Sequence, residues 1–114
     1  MAKWIDIGSI NDIPEGGKTI AHAGQHELVL CRPAAGSVGG GEGDIQAVVN
    51  ICPHAGMPIG DGELQGCVLT CPYHGYAYHV ATGRNIDYPD DPPLQRLPVR
   101  ITDGRIEVDA EGEI

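Results

Sequence analysis

Apolar residues along this chain fall in short runs, or alternate with polar ones, between Gly, Pro and Asp-Gly breaks, and no segment sustains the 3.6-residue period of an amphipathic helix. The pattern predicts an all-β domain with strands over 4–7, 18–23, 27–32, 44–50, 63–65, 67–70, 77–79, 96–101 and 105–108. Asp103-Gly104 is a strong hairpin signal, because a two-residue type I′ turn needs positive φ at both positions. His22 and His26 flank Gly24-Gln25 and read as part of an exposed hairpin turn. Residues 33–44, with Gly39, Gly40 and Gly41, carry no period and read as a mobile hairpin loop. Those glycines are no phosphate cradle, since no Lys-Ser/Thr follows them and no helix starts there.

Two of the predicted strands run into unusual loops. Residue 50 leads into Cys52-Pro53-His54, and residue 70 leads into Cys71-Pro72-Tyr73-His74, with the sixteen residues 55–70 between the pairs. Within each pair the Cys and His are too close in sequence to sit on separate elements, so each loop presents both toward one point. The stretch between reads as a hairpin that sets the loops face to face. Two thiolates and two imidazoles suit a single tetrahedral zinc. They equally suit a [2Fe-2S] cluster with the two cysteines on one iron and the two histidines on the other.

The surroundings bear on that choice. Classical zinc fingers pair Cys with Cys and His with His, whereas each loop here mixes them. Each cysteine is followed by proline, the first loop continues Ala55-Gly56-Met57-Pro58-Ile59-Gly60-Asp61-Gly62, and the second continues Gly75-Tyr76-Ala77-Tyr78-His79 to Gly83. A proline-rich run, Tyr88-Pro89-Asp90-Asp91-Pro92-Pro93-Leu94, follows. In these features the chain resembles the Rieske family, and in particular its small ferredoxins. The resemblance extends from about residue 5 to residue 108, and its specific part spans 50–83.

The resemblance implies the Rieske fold: an antiparallel β base carrying a small cluster-binding subdomain, here about residues 49–82 of a single domain over 1–114. It implies one 2Fe-2S cluster held by Cys52, His54, Cys71 and His74, with the histidines at its exposed edge and the run 88–94 as a covering loop. High-potential respiratory members have a disulfide between the ligand loops and a serine hydrogen-bonded to the cluster. This chain has Met57 and Tyr73 where those half-cystines would stand and Tyr76 in place of the serine, so it resembles the low-potential, oxygenase-associated branch. Tyr78 departs from the usual ferredoxin Phe, and its hydroxyl is placed to reach a ligand cysteine's sulfur or simply to pack in the core. The implied role is one-electron carriage from a flavoprotein reductase to a terminal oxygenase, without catalysis of its own. Two alternatives stand beside it: the small Rieske-like subunit of an assimilatory nitrite reductase, partnered by the large subunit, and a zinc-stabilised binding module.

Size and charge narrow the picture further. A domain of 114 residues buries about two thirds of the surface its unfolded chain exposes, and leaves no room for the second, mononuclear-iron domain of an oxygenase. The sequence opens Met1-Ala2-Lys3-Trp4 with no apolar stretch behind it, and no later run approaches membrane-spanning length, so a cytoplasmic protein is expected. Cys31 and Cys67 lie in apolar runs and read as buried, inert thiols on strands. Sixteen acidic against seven basic residues give a net charge of -9, which opposes nucleic acid and anionic membrane surfaces and favours locally basic partners.

Overall fold

The computed structural model describes residues 3–33, 45–53, 56–73 and 75–112. Within them the chain forms ten strands: β1 (Trp4–Ser9), β2 (Lys18–Ala23), β3 (His26–Cys31), β4 (Gln46–Val49), β5 (Glu63–Gln65), β6 (Val68–Thr70), β7 (Ala77–His79), β8 (Arg96–Leu97), β9 (Val99–Thr102) and β10 (Arg105–Asp109). They make three antiparallel sheets, ordered β1-β10-β9, β2-β3-β4-β8 and β5-β6-β7. The all-β expectation holds.

The central four-stranded sheet is buried on both faces, and this explains why β3 reads as an unbroken apolar run rather than an alternating one. Successive side chains point to opposite sides. Leu28 and Leu30 of β3, with Ala47 and Val49 of β4, join Ile106 and Val108 of β10 in one core. Val29 and Cys31, with Val48, join Ile59, Leu69, Tyr78, Val80 and Leu94 in a second core that also takes in Cys52 and Cys71. The second core therefore ties the small sheet to the base.

Turn chemistry fixes the hairpins. Asp103 (φ 50°) and Gly104 (φ 77°) both adopt positive φ between Thr102 and Arg105, as a type I′ turn requires. Gly24 (φ 62°) opens the β2-β3 turn and Gly66 (φ 58°) the β5-β6 turn, each with positive φ at the first loop position alone, the II′ pattern. His22 is exposed and lies 3.4 Å from Glu27 Oε2 across that hairpin, in keeping with its reading as a surface residue.

Three expectations need correction. The predicted strand 96–101 is two strands, because Pro98 lacks an N–H to donate; β8 pairs with β4, and β9 pairs with β10 in a different sheet. Strand β1 runs on to Ser9 through a bulge between Asp6 and Gly8, so Ile7 has no partner in the β10 register. Cys67 is buried as expected but occupies the β5-β6 turn rather than a strand. The loop predicted over 33–44 lies, from residue 34 onward, outside the described residues.

The end of β10 ties down the N-terminal strand. The Asp109 carboxylate accepts hydrogen bonds from the amides of Lys3 (2.8 Å) and Glu111 (3.0 Å). These donors, the Lys3 amide foremost, hold its carboxyl below the ordinary value of 3.8. A depressed carboxylate contributes stability above its unfolded pKa and loses it as pH falls through the folded value. Asp109→Asn should thus lower the thermal midpoint at pH 7, and the gap to the wild type should close as pH falls through the lowered folded value. A gap that persisted in acid would place the effect on shape rather than charge.

Candidate metal centre

Two loops of the same construction rise from the small sheet and its junction with β4. In the first, Cys52 N–H donates to Met57 O (2.7 Å) and Gly56 N–H donates to Cys52 O (2.8 Å). In the second, Cys71 N–H donates to Tyr76 O (2.7 Å) and Gly75 N–H donates to Cys71 O (3.0 Å). Each loop closes back on its cysteine with the same spacing, and each uses a glycine of positive φ (Gly56 at 66°, Gly75 at 72°) four residues on. Left-handed backbone there is costly for any residue with a Cβ. The repeat shows in the sequence as Cys-Pro-x-x-Gly at 52–56 and 71–75, although the histidines fall at different offsets, second after Cys52 and third after Cys71.

Both cysteine side chains are fully buried and belong to the second core, among Ile59, Leu69, Tyr78, Val80 and Leu94. His54 and His74 lie outside the described residues, so of the four predicted ligands the structure places the two cysteines. Among the described residues, no group of three or more His, Cys, Asp or Glu side chains is placed to hold a metal ion.

The loops are fastened to the base through polar contacts that the sequence reading did not single out. Asn50, almost fully buried, accepts from Gly60 N–H through Oδ1 (2.6 Å) and donates through Nδ2 to Glu27 Oε1 (2.6 Å). Lys18 Nζ donates to Gly60 O (2.6 Å). The return of the first loop is thus held through both backbone polar groups of Gly60. At the start of β5, a Cβ on Gly62 would overlap the carbonyl oxygen of Thr70, the residue before Cys71. An Asn directly after an apolar strand and two residues before Cys52 was the available signal for the first of these contacts; a tertiary approach of backbone to backbone leaves none.

Tyr78 behaves as its first reading allowed. Its ring is fully buried, and its hydroxyl oxygen lies 3.8 Å from Cys52 Sγ. Burial chiefly, and then the neighbouring Cys52 sulfur, push its ionisation well above the ordinary range. The run 88–94 lies beside the same core: Leu94 is buried in it, Leu94 N–H donates to Gly83 O (2.8 Å), and the Tyr88 ring meets Tyr76 edge-on at 5.6 Å. Met57 and Tyr73 are exposed. Away from the loops, burial pushes the Cys31 thiol up to about 12, so at neutral pH it stays protonated and unreactive.

Comparison with known proteins agrees with this construction. Residues 3–98 match the model of the Rieske [2Fe-2S] domain, and the chain belongs to that family. Its cofactor is accordingly a Rieske-type [2Fe-2S] cluster. The ferredoxin component of the naphthalene 1,2-dioxygenase system of Pseudomonas aeruginosa is 33% identical, over 94% of this chain and 95% of the relative. The complex of reduced oxygenase and oxidised ferredoxin of carbazole 1,9a-dioxygenase contains a chain that superposes with a TM-score of 0.79 at 25% identity, covering 97% and 96% of the two chains. A nitrite reductase small subunit from Mycobacterium tuberculosis shares the fold, with a TM-score of 0.80 at 20% identity over 98% of each chain.

Proposed function

We propose that Cys52 and Cys71 bind one iron and His54 and His74 the other of a single 2Fe-2S cluster, and that this chain relays electrons from a flavoprotein reductase to a terminal oxygenase. The chain is a Rieske-type ferredoxin, an electron-transfer component with no reaction of its own. The observation that carries the ligand assignment is the pair of like loops that bury both thiols in one core. Two thiolates on adjoining loops fit the cysteine-bound iron of a Rieske centre. In this reading 1–114 is one Rieske domain, with about 49–82 as the part that holds the cluster.

When bound, the cluster supplies a one-electron couple whose potential is raised, relative to an all-cysteine site, by the two neutral imidazoles. The chain's residues set how far. Apolar neighbours Ile59, Leu69 and Leu94 keep water from the cysteine side. A metal-bound thiolate has no proton, so Tyr78 is the donor across the 3.8 Å to Cys52. Such a bond to a ligand sulfur favours the reduced state. The absence of a disulfide partner at Met57 and Tyr73 keeps the site on the low-potential side of the family.

Support for the oxygenase as acceptor comes from the 33% identical dioxygenase ferredoxin and from the ferredoxin–oxygenase complex. Around the loops Ile51, Met57, Tyr73 and Tyr88 are exposed and apolar, with the acidic residues Asp87 and Asp90 exposed on the adjoining run. That surface suits an acceptor with an apolar floor and a basic rim. No helix among the described residues is long and apolar enough to cross a membrane, and a cytoplasmic site of action is part of the proposal. Dithionite-reduced protein mixed anaerobically with an oxidised terminal oxygenase of an aromatic-ring dioxygenase should reoxidise at a rate first-order in oxygenase. No transfer to the oxygenase, together with co-purification with a sirohaem reductase, would assign the chain to nitrite reduction instead.

A further inference from the structure

Asn85 sits behind Tyr78, and one end of its side chain is left over. It is fully buried. Its Oδ1 accepts from the amides of Asp87 (3.0 Å) and Tyr88 (3.0 Å), starting the turn that leads into the proline-rich run. Those two donors fix which end of the amide is oxygen, so Nδ2 is the free end. It is shielded from solvent and, among the described residues, has no partner within hydrogen-bonding limits. A buried amide donor without a full partner is costly, and that cost calls for a reason.

Position supplies one. Asn85 and Tyr78 oppose each other in an isolated antiparallel bridge. The flanking bonds, His79 N–H to Arg84 O (2.9 Å) and Ile86 N–H to Ala77 O (2.8 Å), make them a non-hydrogen-bonded pair. In such a pair the opposing side chains stand closest and on the same face of the ladder. A phenol has one proton to donate. Where an amide approaches the oxygen, that proton turns elsewhere, and Cys52 Sγ lies 3.8 Å away.

We infer that Asn85 is a positioning residue for the redox centre: its Nδ2 orients the Tyr78 hydroxyl so that the proton points at Cys52 Sγ, and it raises the reduction potential through that hydroxyl alone. The inference rests on the cluster assignment above and extends it one residue outward. It also couples the proline-rich run to the centre, since one side chain starts that turn with Oδ1 and aims the hydroxyl with Nδ2.

The test is a double-mutant cycle read as midpoint potential. Asn85→Ser keeps an oxygen for the Asp87 amide and removes the Nδ2 donor. Asn85→Asp keeps the Oδ1 acceptor of both turn bonds and puts an oxygen where the donor stood, which should capture the hydroxyl proton. Each change is expected to lower the potential in the Tyr78 protein, and the part due to Tyr78 should vanish in a Tyr78→Phe background, leaving Asn85→Ser without effect there. Equal shifts in both backgrounds, or no shift in either, would overturn the role of Asn85 while leaving the cluster in place. Iron and sulfide content measured on the same samples separates these results from failure of the cluster assignment, which would appear as an unloaded wild-type protein.

Discussion

Gly62→Ala is expected to yield a protein that folds poorly and retains little iron. The added Cβ would overlap the Thr70 carbonyl oxygen and stand 2.9 Å from the Thr70 carbonyl carbon. Both atoms are backbone, so no side chain can rotate away. Thr70 is the last residue of β6, paired with Glu63 of β5, and the next residue is Cys71. Relief of the overlap must push apart the two strands that set the second loop, and the thiol moves with them. Overpacking of this kind costs about 1–3 kcal/mol and sometimes more, and a ligand displaced by as little as about 1 Å falls outside metal-bonding tolerance. Gly56→Ala is the contrast, since among the described residues its Cβ meets nothing within 4 Å. It carries only the left-handed backbone penalty of about 1–2 kcal/mol. Iron and sulfide per chain, measured on both variants, should fall sharply in the first and stay near the wild-type value in the second. Equal loading would show that the close approach at Gly62 does not position Cys71.

The second large effect concerns a proposed ligand. His74→Cys replaces a neutral imidazole by a thiolate, adding a negative charge that disfavours the reduced state. Rieske centres lie at roughly -150 to +300 mV and plant-type all-cysteine centres near about -400 mV, so the variant should shift downward by on the order of 100 mV or more, or lose the cluster. Electron paramagnetic resonance of the reduced form should move toward the all-cysteine signature at the same time. A potential and spectrum unchanged from wild type would remove His74 from the ligand set.

The features that were legible in the chain are the ones carried by neighbours in sequence. The Asp103-Gly104 turn is local chemistry, and its φ values are those the dipeptide favours. The two cysteine loops were readable as local units because each is closed within six residues, by the Cys52–Met57 and Cys71–Tyr76 bonds. What escaped depends on distant parts of the chain. The run 96–101 divides at Pro98, and which sheet each half joins is set by distant partners, β4 for the first and β10 for the second. Asn50 and Asn85 look like ordinary turn residues. Their importance comes from what is brought to them: Glu27 and Gly60 to the first, Tyr78 to the second. Gly62 is one glycine among seventeen, and its necessity arises from Thr70 arriving across the hairpin.

The central claim, a Rieske centre on two mixed Cys/His loops, is tested most directly by iron, acid-labile sulfide and zinc content with a visible spectrum, on protein purified without oxidative damage. The account predicts about two irons and two sulfides per chain, with visible bands that bleach on reduction. A colourless protein holding one zinc and no sulfide, despite ample iron during expression, would contradict it and leave the loops as a structural zinc site.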